Sequence, residues 1–107
     1  RPFAVMDSGE PDVFDLYYQV VGPGTMLLSR LAPGDRLNAL GPLGNGFPAD
    51  DPLQRPVFLS EEGGVAPFHF LAKRLKGKKR SRLEATCLYS VSWSGEATIL
   101  PELQSLF

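Results

Sequence analysis

Residues 56–75 pass from an unbroken apolar run into an apolar stripe of helical period, and this switch limits the second half of the chain to few architectures. Pro56-Val57-Phe58-Leu59 is short and wholly apolar, the pattern of a strand buried on both faces. Ser60 to Gly64 reads as a turn. Pro67 suits the first position of a helix, and Phe68, Leu71, Ala72 and Leu75 recur at i, i+3, i+4 and i+7. Gly77 is placed to end that helix. A strand over Leu83–Tyr89 follows, then a short helix over Ile99–Leu106 with Pro101 in its first turn. Strand, helix, strand and helix in that order begin a parallel, doubly wound sheet.

The residues before Pro48 follow a different pattern. Arg1–Met6 reads as a strand with its proline near the start, Phe14–Val21 as a longer strand, and Arg36–Leu40 as a third. Turn-formers separate them at Ser8–Asp12, at Ala32-Pro33-Gly34-Asp35 and at Gly41-Pro42-Leu43-Gly44-Asn45-Gly46. Gly22-Pro23-Gly24 stops the second strand. Thr25 is placed as an N-cap for a short helix over Met26–Leu31. The expected class is α+β, with partial antiparallel strands over residues 1–47, a linker at 48–55 and a partial parallel α/β unit over 56–107. One βαβ unit does not cover both faces of its sheet, and three short strands do not close a barrel. The chain is therefore expected to be part of something larger: a fragment, or one member of an assembly.

Charge and cysteine content narrow the function classes. Residues 1–51 carry three basic and seven acidic side chains, net −4, whereas residues 52–107 carry eight basic and five acidic ones, net +3. Seven of the basic residues lie between Lys73 and Arg82. No aromatic residues interleave that run to stack on bases, so it reads as a solvated helix end and a basic loop, not a nucleic-acid site. No apolar run approaches the ~20 residues of a membrane span and no charged-then-apolar leader opens the sequence, so no membrane contact is expected and a cytoplasmic location is the default. The single cysteine, Cys87, allows no internal disulfide and no iron–sulfur cluster held by this chain alone; it reads as a small core residue.

Four motifs, in order, carry a family resemblance. Arg1-Pro2-Phe3-Ala4-Val5 is similar to the Arg-Pro-x-Ser-x strand of the ferredoxin reductase-like FAD/NAD(P)-binding family. Gly22-Pro23-Gly24-Thr25 resembles that family's second flavin motif, and Gly64-Val65-Ala66-Pro67 the end of its nicotinamide-binding loop. Within the family, Val20-Val21-Gly22-Pro23-Gly24-Thr25 together with Leu40-Gly41-Pro42-Leu43-Gly44-Asn45-Gly46-Phe47 is most similar to the electron-transfer subunits of dihydroorotate dehydrogenases, which belong to pyrimidine biosynthesis. The resemblance implies a flavin-binding barrel segment followed by a nucleotide-binding one. It implies FAD and NAD(H) as cofactors, and a catalytic partner subunit or self-association. The cofactor-binding positions it implies are Arg1, Pro2, Phe3, Ala4, Gly22, Gly24, Thr25, Gly63, Gly64, Ala66 and Pro67; it singles out no catalytic residue.

The residues themselves leave alternatives open. Arg1 is either a phosphate clamp or a solvated arginine, and Phe3 either a flavin-stacking ring or a barrel core aromatic. Gly22-Pro23-Gly24-Thr25 either lets helix-start amides meet a phosphate or is an ordinary capped turn. The sequence also departs from the family pattern. Ala4 replaces the usual hydroxyl, Ser60-Glu61-Glu62 replaces a glycine run, and Ser90-Val91-Ser92 offers no cation for a cofactor phosphate. Carboxylates at Glu61 and Glu62 would repel a dinucleotide pyrophosphate by on the order of 1 kcal/mol each. His69 has no second ligand at metal spacing and reads as a plain helix residue off the apolar face; Trp93 is a loop aromatic near the cofactor crevice or a packing residue. The leading reading is a flavin-dependent electron-transfer component. The alternative is a fragment or degenerate subunit that binds a partner without catalysing a reaction.

Overall fold

The computed structural model describes residues 1–48, 55–78, 84–92 and 98–107. Most of the expected linker therefore lies outside the described residues, as do Leu83, Trp93 and the basic residues Lys79, Arg80 and Arg82. Within the described residues the chain is a mixed α/β structure with two two-stranded sheets, one antiparallel and one parallel, and no closed barrel.

The parallel sheet pairs β3 (Val57–Glu61) with β4 (Thr86–Ser90), Phe58 opposite Cys87 and Ser60 opposite Tyr89. Between them run a 3₁₀ turn (Glu62–Val65) and helix α2 (Ala66–Lys78), and α3 (Leu100–Leu106) follows β4. The strand–helix–strand–helix order is the expected one. Its core divides in two. Phe58, Leu71 and Leu75 form one buried cluster with Phe68, Ala85 and Cys87 against it; Val65, Ile99 and Leu103 form the other, with Met6, Tyr17, Cys87 and Tyr89 around it. Cys87 touches both clusters, as its apolar neighbours in sequence suggested.

Burial on both faces of β3 is corrected. Phe58 and Ser60 face the helices, while Val57 and Leu59 on the other face are 66% and 73% exposed. Both α2 and α3 pack on the same side, so the apolar alternate positions of β3 stay uncovered. Gly77 does not end α2, which continues to Lys78.

The first half is less regular than expected. β1 is only Val5–Asp7 and β2 only Asp15–Leu16, paired antiparallel with Val5 opposite Leu16 and Asp7 opposite Asp15. The longer strands over Arg1–Met6 and Phe14–Val21 shrink to this ladder, and Arg36–Leu40 forms none, because an extended segment without a partner leaves its amides and carbonyls unpaired. The Ala32–Asp35 turn does form: Asp35 N–H donates to the Ala32 carbonyl at 3.0 Å, Ala32 N–H donates to Asp35 Oδ2 at 2.7 Å, and Gly34 supplies the φ of +96° at its third position.

Helix α1 spans Pro23–Ser29 rather than Met26–Leu31. Its N-cap is Gly22, with Pro23 at the first helical position. Thr25 thus sits at the third helical position and not at the cap. Its hydroxyl still serves the cap from there, accepting from Val21 N–H at 2.9 Å and Gly22 N–H at 3.2 Å and donating to the Gly22 carbonyl.

The two halves meet where α2 packs on β1. His69 is only 6% exposed, so its reading as a plain helix residue is also corrected; it donates from Nδ1 to the Met6 carbonyl at 3.0 Å. One turn on, Lys73 pairs with Asp7. Phe47 adds a ring contact to Phe68, centroids 5.3 Å apart.

Candidate functional site

A solvent-open cleft of about 290 Å³ forms where the segment before β1, the segment after β2, the α1 start and the 3₁₀ turn converge. One side is Arg1 to Ala4, which runs directly into β1. The opposite side is Tyr17 to Gln19 with Val21, brought alongside by the β1–β2 pairing. Thr25 closes one end, and Gly63 reaches the cleft from the 3₁₀ turn.

Six of the eleven residues singled out in the sequence thus line one cleft: Arg1, Pro2, Phe3, Ala4, Thr25 and Gly63. Gly22 stands at its edge, since a β-carbon there would lie 4.0 Å from Arg1 Nη1. That proximity places a permanently charged guanidinium beside the glycine turn that opens α1. Gly24 is exposed and faces open space. Gly64, Ala66 and Pro67 do not line the cleft. Ala66 is buried at the start of α2, Pro67 lies in its first turn, and Gly64 faces Ser60, whose Oγ would sit 3.3 Å from a β-carbon placed there.

Tyr17, Tyr18, Gln19 and Val21 line the cleft without having been singled out. Tyr18 stands edge to face with Phe3, ring centroids 5.9 Å apart at 73°. Their signal in the sequence was the aromatic and β-branched composition of Phe14–Val21, which reads equally well as a core strand. Only the partner strand decides which side faces a cleft.

Arg1, Phe3 and Tyr18 are all largely or partly accessible, and Thr25, 2% exposed, spends its hydroxyl within its own turn. Thr25 therefore shapes the cleft end and does not present its hydroxyl to a ligand. A cation, an aromatic pair and a close-approach glycine turn suit a ligand with a flat apolar ring and a phosphate. The volume lies at the lower end for ligand pockets, enough for one end of a dinucleotide. The residue types present would suit FAD, which carries both groups, and a cleft of this size would enclose only part of it.

The turn beyond Gly63 is built differently. Glu62 opens it with a left-handed φ of +48°, and Ser92 Oγ donates to its Oε1 at 2.9 Å. The carboxylate is thereby held beside the turn, next to the Gly63 that borders the cleft. Below the turn, Ser60 Oγ is buried and lacks a hydrogen-bond partner among the described residues. Among those residues no three His, Cys, Asp or Glu side chains gather as metal ligands, and no helix is long and apolar enough to cross a membrane.

No protein-family model and no solved structure matches the chain significantly. Curated relatives do. The electron-transfer subunit of NAD-linked dihydroorotate dehydrogenase B from Clostridium acetobutylicum is 41% identical over 71% of this chain and 30% of its own length. The corresponding subunit of Desulforamulus reducens is 40% identical over 74% of this chain and 30% of its own, and that of Caldanaerobacter subterraneus 40% identical over 74% and 31%. The chain spans about 30% of the length of these relatives, and over the matched segment it is homologous to the electron-transfer subunits of dihydroorotate dehydrogenase B.

Proposed function

We propose that the cleft binds FAD and that the chain is the flavin-binding part of an electron-transfer component of the dihydroorotate dehydrogenase type. The convergence of Arg1, Phe3, Thr25 and Gly63, up to 62 positions apart in sequence, on one cleft carries this reading. In it, the β1–β2 hairpin and α1 are a piece of a flavin-binding barrel over residues 1–47, and β3 to α3 a piece of a doubly wound nucleotide-binding unit over 56–107. FAD, when bound, supplies the capacity to take up two electrons and release them singly or in pairs.

The chain's own residues bind and orient. Arg1 offers a planar, permanently charged fork to a pyrophosphate oxygen pair, and the nearby Gly22 admits it without a side-chain obstacle. Phe3 and Tyr18 present an apolar wall to the ring, and Ala4 packs there without the hydroxyl contact usual in the family. Gly63, Gly64, Ala66 and Pro67 form the turn and helix start that a nicotinamide dinucleotide would approach, against the charge of Glu61 and Glu62. Electrons pass in this reading, by way of FAD, between the nicotinamide cofactor and a catalytic partner subunit.

Titration of the purified chain with FAD, followed by flavin fluorescence and visible absorbance, tests the proposal. Saturable binding is expected, with Arg1→Glu weakening it at least tenfold. Absence of binding to the wild-type chain would sink the proposal, and unchanged affinity in the variant would remove Arg1 from the site. The Glu62 carboxylate in the dinucleotide turn favours a second reading, a non-catalytic binding module; bleaching of bound FAD by NADH would refute it.

A further inference from the structure

We propose that His69 and Lys73 are positioning residues, which clasp β1 onto α2 and so hold the two walls of the cleft at working separation. The proposal rests on the reading of the cleft as a flavin site. One wall, Arg1–Ala4, continues into β1 with no intervening loop. Another, at Gly63, continues through the 3₁₀ turn into α2. Whatever fixes β1 along α2 therefore fixes the cleft.

The β1–β2 ladder is too short and irregular to fix that register by itself. It has two paired positions with an irregularity between them, and it sets Asp7 opposite Asp15, a like-charge pair. Apolar contact from Met6 onto Val65, Ile99 and Leu103 holds the strand down but is not directional. A slip of one residue would move Arg1 and Phe3 by roughly 3.3 Å and turn Phe3 to the opposite side.

His69 and Lys73 supply the direction. Four residues apart, they share one flank of α2. His69 donates Nδ1–H to the backbone carbonyl of Met6 at 3.0 Å, a contact that reads strand position irrespective of side chain. Lys73 pairs with the neighbouring Asp7, drawing that carboxylate toward the helix and neutralising it opposite Asp15. The two bonds address adjacent strand residues, one main chain and one side chain, so no shifted register satisfies both.

The test uses the intact chain, with FAD titration and NMR of the Ala4 and Thr25 methyl groups recorded on FAD-free protein. His69→Leu removes the donor at nearly constant volume; it should weaken FAD binding about tenfold and shift the Ala4 methyl while leaving the Leu103 methyls in place. His69→Asn keeps an N–H where Nδ1 stood and should restore both to within about twofold. Equal defects in Leu and Asn variants, or an unmoved Ala4 methyl in His69→Leu, would overturn the clasp. Lys73→Asp should likewise weaken FAD binding about tenfold and the exchanged pair Asp7→Lys with Lys73→Asp should recover it; an exchanged pair as weak as the single variant would overturn it too. This second arm decides the matter should His69→Leu fail to fold. If the wild-type chain binds no FAD, the flavin reading fails, and the Ala4 methyl alone still decides the clasp.

Discussion

Glu62 is the residue whose replacement separates backbone strain from charge most cleanly. Its φ of +48° lies where a side chain crowds the backbone, at about 1–2 kcal/mol for an L-residue. Glycine escapes that penalty but loses about 0.5–1 kcal/mol more backbone entropy on folding. Alanine keeps the strain. Both lose the bond from Ser92 Oγ, worth about 0.5–1.5 kcal/mol or less at an exposed site. The loss is common to both, so Glu62→Gly should exceed Glu62→Ala in stability by about 1 kcal/mol, or about 4–8 °C in Tm for a domain of this size. Thermal unfolding followed by circular dichroism measures the gap. The charge effect behaves differently: both variants remove the carboxylate next to Gly63, and both should bind NADH several-fold more tightly than wild type by a common factor, about 1 kcal/mol of repulsion relieved. An alanine variant as stable as the glycine variant would refute the strain argument. A gain in NADH affinity confined to glycine would show that backbone freedom, and not charge, governs the turn.

Asp7 has its pKa lowered by its hydrogen bond to Lys73, so it contributes stability that is present above the ordinary carboxylate pKa and lost as pH falls through its folded value. Wild type should exceed Asp7→Asn by up to about 1 kcal/mol at pH 7, and in urea unfolding measured across pH the difference should shrink as pH falls below the ordinary carboxylate range and the Asp7 carboxylate is protonated. Leu103→Ala, deleting a side chain buried between Val65 and Ile99, should cost about 2–5 kcal/mol in the same assay. Burial pushes the Cys87 thiol pKa up, so it should react with an aromatic disulfide at pH 8 more slowly in the folded chain than in urea; equal rates would contradict its place between the two clusters.

The parts of this fold that could be read from the sequence are those specified within a few residues. The stripe at Phe68, Leu71, Ala72 and Leu75 gives α2 because helical spacing needs no partner to be recognised. The Ala32–Asp35 turn follows from Pro and Gly at fixed positions. Strands are another matter. Phe14–Val21 carries the composition of a long strand, yet only Asp15 and Leu16 find a partner, and pairing is a property of two segments. The two exposed apolar positions of β3 escaped for the same reason: an apolar run states what a strand tolerates on each face and not what covers it. Among the cleft residues, Arg1 and Gly63 were marked only by their resemblance to the family's motifs, and Tyr17 and Tyr18 carried no such mark, because their types suit a core equally well.

His69 shows how such a residue escapes notice. Placed on a helical wheel, it falls beside the stripe that faces β3, and a helix with one partner would leave it in water. α2 has two partners. Its stripe, with the completely buried Ala72, meets the sheet, and its adjacent flank, His69 with Lys73, meets β1, so a polar side chain is buried there. Polar residues of mixed length are what a helix presents to a strand end it must bond through the main chain. The same flank would read as solvated in any helix taken alone, and it takes on meaning here because β1 carries a cleft wall.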